Sequence, residues 1–265
     1  MMADIDRTAR DIASMPRGGP DASWLDRRLQ TNRLEYLDRD DVDDLKRRVI
    51  RSLDRLERLF GQHKKFARVV LGEVANIPSP KILELGCGHG GLSRKLLESH
   101  PTAQVTVTDI DPTFVAAVAA SDLGSHPRAT VREMDATAID APDGYYDLVV
   151  FSLSLHHLPP ALAARVFAEG TRAGNTLLII DPPRPPAPLH LVILAMALPF
   201  NKLSPFAHDG FISSLRAYSP SALRALAYYA DPAITVEFRA RPRAQTVAVA
   251  SRPGQTGNRQ RDHEP

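Results

Sequence analysis

Residues Ile82 to Ser93 read Ile-Leu-Glu-Leu-Gly-Cys-Gly-His-Gly-Gly-Leu-Ser, an apolar strand that runs directly into a glycine-rich turn and then into a helix. Glycine is required where a backbone turns tightly and where a ligand must approach without meeting a Cβ. The spacing Gly86-x-Gly88-x-x-Gly91 fits a dinucleotide fingerprint, in which the helix N-terminus receives a pyrophosphate. Glu84 opposes that reading, because a carboxylate on the strand just before the first glycine repels a phosphate and attracts an ammonium. A ligand with a cationic end fits the turn better.

Two further acids stand at the ends of the next apolar runs. Asp109 ends the second run, nineteen residues beyond Gly90, where it can accept both hydroxyls of a ribose. Asp135 ends the third, in Met134-Asp135-Ala136, where a carboxylate can accept from an adenine exocyclic amine. Three acids at three consecutive strand ends make one site. Each also has a structural reading: an Asp at a strand end often caps the following helix, and Asp111 before Pro112 suits that role as readily as Asp109 suits ribose. Asp147 follows the turn Pro142-Asp143-Gly144 and is read as structural. Cys87 inside the glycine turn is a small filler rather than a nucleophile, with its backbone N–H directed at the ligand.

Around this centre, the apolar runs Ile82 to Leu85, Gln104 to Asp109, Thr130 to Met134, Asp147 to Leu153 and Thr176 to Asp181 alternate with helical stretches. Continuous apolar strands of this kind belong to a parallel sheet covered on both faces. Ile234 to Arg239 and Gln245 to Ala250, separated by a short stretch that contains Arg241-Pro242-Arg243, leave no room for a helix and form an antiparallel hairpin. Upstream, Val42, Leu45, Val49, Leu53, Leu56 and Phe60 step by three or four along an amphipathic helix. Gly61 ends that helix, and Phe66, Val69, Val70 and Val74 start another. The organisation is thus a mobile arm over 1–22, a helical extension over 23–79, a ligand-binding domain over 80–252 with a lid insertion at about 184–218, and a disordered tail over 253–265.

The segments Glu84-Leu-Gly-Cys-Gly-His-Gly90, Thr108-Asp-Ile-Asp-Pro112, Met134-Asp-Ala136 and Tyr146-Asp-Leu-Val-Val-Phe-Ser-Leu-Ser-Leu-His-His-Leu158 together resemble the class I S-adenosylmethionine-dependent methyltransferases. The resemblance covers roughly residues 81 to 252. It implies a Rossmann-like α/β fold, a seven-stranded mixed sheet whose last strand is antiparallel, with helices on both faces. It also implies a cofactor, S-adenosylmethionine, with S-adenosylhomocysteine as product. Gly86, Gly88 and Gly90 would then pass the methionine portion, Asp109 hold the ribose, Ile110 pack on the adenine, and Asp135 with Ala136 meet its edge. His208 to Tyr218 is similar to a segment of a bacterial group related to quinone-biosynthesis methyltransferases, which makes His208, Asp209, Arg216 and Tyr218 candidates for the substrate pocket.

A sulfonium donor is already activated, so a base matters only if the acceptor is a hydroxyl, where one contributes on the order of 10²–10⁴-fold. His156 and His157, just beyond the fourth strand, are the nearest titratable candidates. The formal charge of +2 supplies no field to recruit nucleic acid or an anionic membrane. A single cysteine and a charged N-terminus point to a reduced, cytoplasmic chain. The longest apolar run, Leu189 to Phe200, is well short of the roughly 20 residues that span a bilayer. It lacks a polar face and must be covered by the N-terminal helices, a second subunit or a lipid-like substrate, so a homodimer could form there. Asp181-Pro-Pro183 matches the signature of nucleic-acid amino-methyltransferases only in part, since Arg184 replaces the aromatic and the string follows the fifth strand rather than the fourth. No ligand-spaced cluster of histidines and carboxylates marks a metal site.

The preferred reading is an enzyme that methylates a small, partly apolar molecule, with a hydroxyl as the favoured acceptor. A non-catalytic S-adenosylmethionine-binding module, a nicotinamide-dependent oxidoreductase and a nucleic-acid methyltransferase are the alternatives.

Overall fold

The computed structural model describes residues 12–39, 41–201, 204–239 and 245–254. Its centre is one seven-stranded sheet: β1 (Lys81–Leu85), β2 (Gln104–Asp109), β3 (Ala129–Glu133), β4 (Leu148–Ser152), β5 (Leu177–Asp181), β6 (Thr235–Phe238) and β7 (Thr246–Ser251). The spatial order is β3-β2-β1-β4-β5-β7-β6. β1 to β5 pair in parallel, and β7 lies antiparallel to both β5 and β6. The chain reverses its winding direction between β1 and β4, and in open α/β sheets the crevice beyond the carboxyl ends at such a point receives ligand.

The alternation of side chains along each strand builds two separate cores. Leu83, Leu85, Val149, Phe151, Leu177 and Ile179 face α6 (Pro160–Ala173) and α9 (Pro220–Ala230). Ile82, Leu148, Val150, Leu178 and Ile180 face the opposite way, against α3 (Gln62–Glu73) and α4 (Gly91–Ser99). Buried on both faces, β1, β4 and β5 carry the continuous apolar runs that identify them in the sequence. Local signals set the helix starts. Ser219 accepts from the Ala222 N–H ahead of Pro220, and Asp111 accepts from the Thr113 N–H ahead of α5 (Pro112–Ala119). Asp147 accepts from the Lys81 N–H at 2.9 Å and latches the start of β1, as its structural reading required.

The N-terminal segment departs from expectation. Of the proposed mobile arm, residues 12–22 are packed: Ile12 joins the core beneath α6 and α9. The buried Arg17 guanidinium lies 4.3 Å over the Tyr218 ring and donates to the His156 carbonyl at 3.1 Å. The stretch has no periodicity because its order comes from pairing with residues 217–222; the Ser219 N–H donates to Arg17 O, and the Ser219 hydroxyl to Gly18 O. Residues 1–11, the hairpin turn Arg241-Pro242-Arg243 and most of the proposed tail fall outside the described residues.

The extension contains α1 (Trp24–Arg28), α2 (Asp43–Phe60) and α3, with Gly61 in the left-handed region (φ 57°) ending α2. Of the expected apolar stripe on α2, Val49 is buried while Leu53 and Phe60 are 41% and 60% exposed. The insertion after β5 folds as α7 (Ala187–Asn201) and α8 (Pro205–Arg216), joined where His190 Nε2 meets the Ser214 hydroxyl at 2.8 Å. Arg184, buried, ties the insertion to α1 through the Asp26 carboxylate and the Leu29, Leu215 and Ala217 carbonyls. His190 and Leu194 form the inner side of α7, whereas Leu189, Val192, Met196 and Leu198 are exposed, so the described residues cover only part of this apolar helix. Among the described residues no helix is long and apolar enough to cross a membrane.

Candidate functional site

Beyond the carboxyl end of β1 the glycine turn lines a cavity of about 390 Å³. Gly86, Gly88 and Gly90 all adopt positive φ, at 63°, 52° and 72°. A Cβ at Gly86 would lie 2.9 Å from the Ser154 hydroxyl oxygen, and one at Gly90 would lie 2.5 Å from Leu123 Cδ1, so a side chain at either position would displace a neighbour as well as strain the backbone. At Gly88 nothing stands within 4 Å, which leaves its approach open.

Glu84, Gly86, Cys87 and Gly88 all reach the cavity, together with Ser152, Leu153 and Ser154 from the end of β4. Glu84 is buried, and burial pushes its carboxyl up to about 7 despite the hydrogen bond from the Ser93 hydroxyl. A buried carboxylate facing a cavity is a strong attractor for an ammonium. Burial likewise raises the Cys87 thiol, which leaves it an inert filler. The expectation for the Cys87 backbone is corrected, because its N–H donates to Thr108 O at 2.9 Å and is committed there rather than to a ligand.

Asp109, Ile110, Asp135 and Ala136 lie outside the lining of that cavity, at the neighbouring strand ends. Asp109 is coupled to the turn: its Oδ2 accepts from the Gly88 N–H at 2.9 Å and its Oδ1 from the Asp111 N–H at 3.0 Å. Since Asp111 caps α5 itself, Asp109 is free of that task, and each of its oxygens keeps a lone pair for another donor. Ile110 is exposed, with its side chain uncommitted to the core. Asp135 Oδ1 accepts from both the N–H and the hydroxyl of Thr137, a local turn that fixes the carboxylate at the end of β3.

The other half of the cavity comes from the extension: Ile50, Leu53 and Glu57 of α2, with Gln62, His63 and Phe66 of α3. This accounts for the exposed Leu53, whose stripe faces the cavity as well as the core. His63 also explains Gly91, since its ring would lie 2.4 Å from a Cβ there. The N-terminus of α4 is therefore covered by an imidazole where a dinucleotide would place its pyrophosphate. Leu153, with φ 54°, holds a backbone conformation that is costly for a β-strand exit and sits in the cavity wall. Sequence reasoning missed these residues, because helix periodicity identifies an apolar face without naming what it covers.

The residues proposed for catalysis and substrate are drawn together around the 155–157 turn. His156 is buried, with Nδ1 2.8 Å from Asp181 Oδ1 and Nε2 3.5 Å from Glu35 Oε1. Burial would lower its pKa, but the two carboxylates outweigh that and raise it to about 9. Both ring nitrogens of His156 thus face buried carboxylates inside the protein, which leaves neither free to take a proton from a substrate and corrects its expected role. His157 is partly exposed, with Nδ1 3.0 Å from Asp38 Oδ2.

Asp209, Arg216 and Tyr218 are likewise corrected, since all three are buried and spend their polar atoms inside the protein. Asp209 accepts from the Tyr36 and Leu37 N–H groups, and Tyr218 donates to Leu158 O at 2.9 Å. Arg216 donates to the carbonyls of His156 and His157 and to Asp38. Arginine and tyrosine look alike in sequence whether they line a pocket or pin a loop. His208 stacks on Tyr36 at 4.2 Å and remains partly exposed.

Residues 82–174 match the protein family described as a methyltransferase domain. A trans-aconitate 2-methyltransferase of Streptomyces avermitilis is 30% identical over 173 residues, which cover 61% of this chain and 63% of that protein. A ubiquinone/menaquinone biosynthesis C-methyltransferase of Cupriavidus taiwanensis is 28% identical over 46% of this chain and 51% of its own length. The chain thus spans less than two thirds of the length of these relatives. Among solved structures, the magnesium protoporphyrin IX methyltransferase of Synechocystis, with bound S-adenosylhomocysteine, superposes with a TM-score of 0.51 at 21% identity, over 72% of this chain and 83% of that one. At that identity the likeness speaks to the fold.

Proposed function

Because residues 82–174 match a methyltransferase domain, we propose that the chain is a class I S-adenosylmethionine-dependent methyltransferase that methylates a small, partly apolar molecule, most readily at a hydroxyl. The observation that carries the cofactor assignment is the buried Glu84 carboxylate, which faces the cavity behind a turn whose Gly88 leaves the approach open. Those residues fit a methionine portion: Glu84 attracts its ammonium, and Asp109, tied to Gly88, offers acceptors to a ribose. The donor supplies an activated methyl group on a sulfonium and leaves as S-adenosylhomocysteine. The protein's part is alignment and exclusion of water, worth roughly 7–11 kcal/mol when the geometry is good. Ile50, Leu53 and Phe66 give the cavity an apolar wall suited to that exclusion.

The elevated Glu84 pKa makes cofactor binding pH-dependent. In the free protein, burial favours the neutral carboxyl, so the fold loses stability as the pH rises from the ordinary carboxylate range through about 7. An ammonium ligand favours the anion, so affinity moves the opposite way. We expect S-adenosylmethionine to bind about fivefold more tightly at pH 7 than at pH 6, with release of a proton. Calorimetry in buffers of different ionisation enthalpy measures both effects, and Glu84→Gln should flatten the pH dependence; an unchanged slope in that variant would place the ammonium elsewhere.

Turnover is tested by following S-adenosylhomocysteine formation with purified protein and a panel of phenols, aliphatic alcohols, carboxylic acids and amines. Acceptor-dependent product from hydroxyl compounds is the expected result. Tight cofactor binding with no product from any acceptor would instead make the chain a binding module. Binding of NADH in place of S-adenosylmethionine would make it an oxidoreductase.

A further inference from the structure

The polar cluster at the 155–157 turn has features that methyl transfer does not use. Glu35, from the N-terminal extension, and His156 and His157, from beyond β4, bring donor atoms within 4.8 Å of one another. The Nδ1 atoms of both rings are committed to outer carboxylates, Asp181 for His156 and Asp38 for His157. That leaves Nε2 as the remaining donor of each ring. A histidine held at one nitrogen by a carboxylate, which leaves the other nitrogen for a metal, is the usual second-layer arrangement of metal sites.

The spacing fits as well. Glu35 Oε1 and His156 Nε2 are 3.5 Å apart, long for a hydrogen bond. Two ligands at about 2.0–2.2 Å from a tetrahedral cation stand roughly 3.3–3.6 Å apart. The Ser213 hydroxyl donates to the same Glu35 oxygen at 2.8 Å and fixes its orientation. Asp181 Oδ2 is buried with no hydrogen-bond partner among the described residues, so the cluster is not closed by its own contacts. The partial exposure of His157 brings that side of the cluster to the protein surface.

We propose that Glu35, His156 and His157 bind one divalent first-row transition cation of the zinc type. Two imidazoles and one carboxylate suit such borderline ions better than Mg²⁺ or Ca²⁺. Asp181 and Asp38 orient the two rings, and the cation replaces the proton on His156 Nε2. The fourth position is left to water or to an oxygen of a bound molecule. A cation here occupies the His157 nitrogen that a general base would need, so the two roles exclude each other.

The test needs neither S-adenosylmethionine nor turnover. Untagged full-length protein, stripped with chelator, is titrated with Co²⁺ as a spectroscopic stand-in for Zn²⁺. A visible d–d absorption that saturates at one equivalent and is displaced by Zn²⁺ is expected. Glu35→Gln should abolish the one-equivalent endpoint, and Asp38→Asn should weaken binding about 10–100-fold. His157→Ala, at a partly exposed side chain, gives a second ligand variant, and circular dichroism checks that each variant is folded. Wild-type protein without the band would overturn the proposal, as would equal affinity in folded Glu35→Gln and His157→Ala. A sulfur-to-cobalt charge-transfer band would also overturn it, because it would place the ion on Cys87.

Discussion

Replacing Asp109 with alanine should raise the dissociation constant for S-adenosylmethionine by at least about 100-fold, measured calorimetrically at neutral pH. The Asp109 carboxylate holds the glycine turn to the end of β2 by accepting from the Gly88 N–H, and it holds the start of the next connection through the Asp111 N–H. Hydrogen bonds to a charged group contribute about 1.5–3 kcal/mol each, and every 1.4 kcal/mol is tenfold in affinity. Loss of the turn's anchor together with the acceptors offered to a ribose therefore exceeds two orders of magnitude. Asp109→Asn, which keeps one acceptor oxygen, should fall between the two. Asp111→Ala is the control, because it removes the cap of α5 at a cost of about 1 kcal/mol in stability and leaves the turn attached. Wild-type affinity in Asp109→Ala would remove Asp109 from the site.

What the sequence made legible follows from which interactions are local. The central strands announced themselves because β1, β4 and β5 are covered on both faces, so apolar residues dominate them, with Glu84 of β1 the polar exception inside a run. The antiparallel end of the sheet was equally plain, since β6 and β7 are too close in sequence for a crossover helix. Glycines with positive φ are a backbone requirement and appear directly as residue type. The polar cluster was not legible in the same way. Glu35 and Asp38 meet His156, His157 and Arg216 across the fold, and neither composition nor spacing records such encounters. The same limit explains why Asp209, Arg216 and Tyr218 were read as pocket residues. A polar side chain in a segment after the last parallel strand has two uses, and only the partners distinguish them.

Arg216→Met separates those two uses by opposite outcomes. If Arg216 faced a substrate, methionine would leave the melting temperature alone and weaken the acceptor. In the structure the guanidinium is buried and spans the His156 and His157 carbonyls and the Asp38 carboxylate, the last at 2.8 Å. Methionine fills comparable volume but satisfies none of these groups, and removing one partner of a buried charge pair costs about 3–5 kcal/mol. For a chain of this size that lowers the melting temperature by about 10 °C, at roughly 2–4 °C per kcal/mol. Lysine should recover little, because a single ammonium cannot reproduce a fork that binds a carboxylate and two carbonyls together. The effect should also be local to the turn and the extension. These partners of Arg216 belong to neither the glycine turn nor Asp109, so the folded fraction of the variant should bind S-adenosylmethionine within a few fold of wild type, whereas the folded fraction of Asp109→Ala should not.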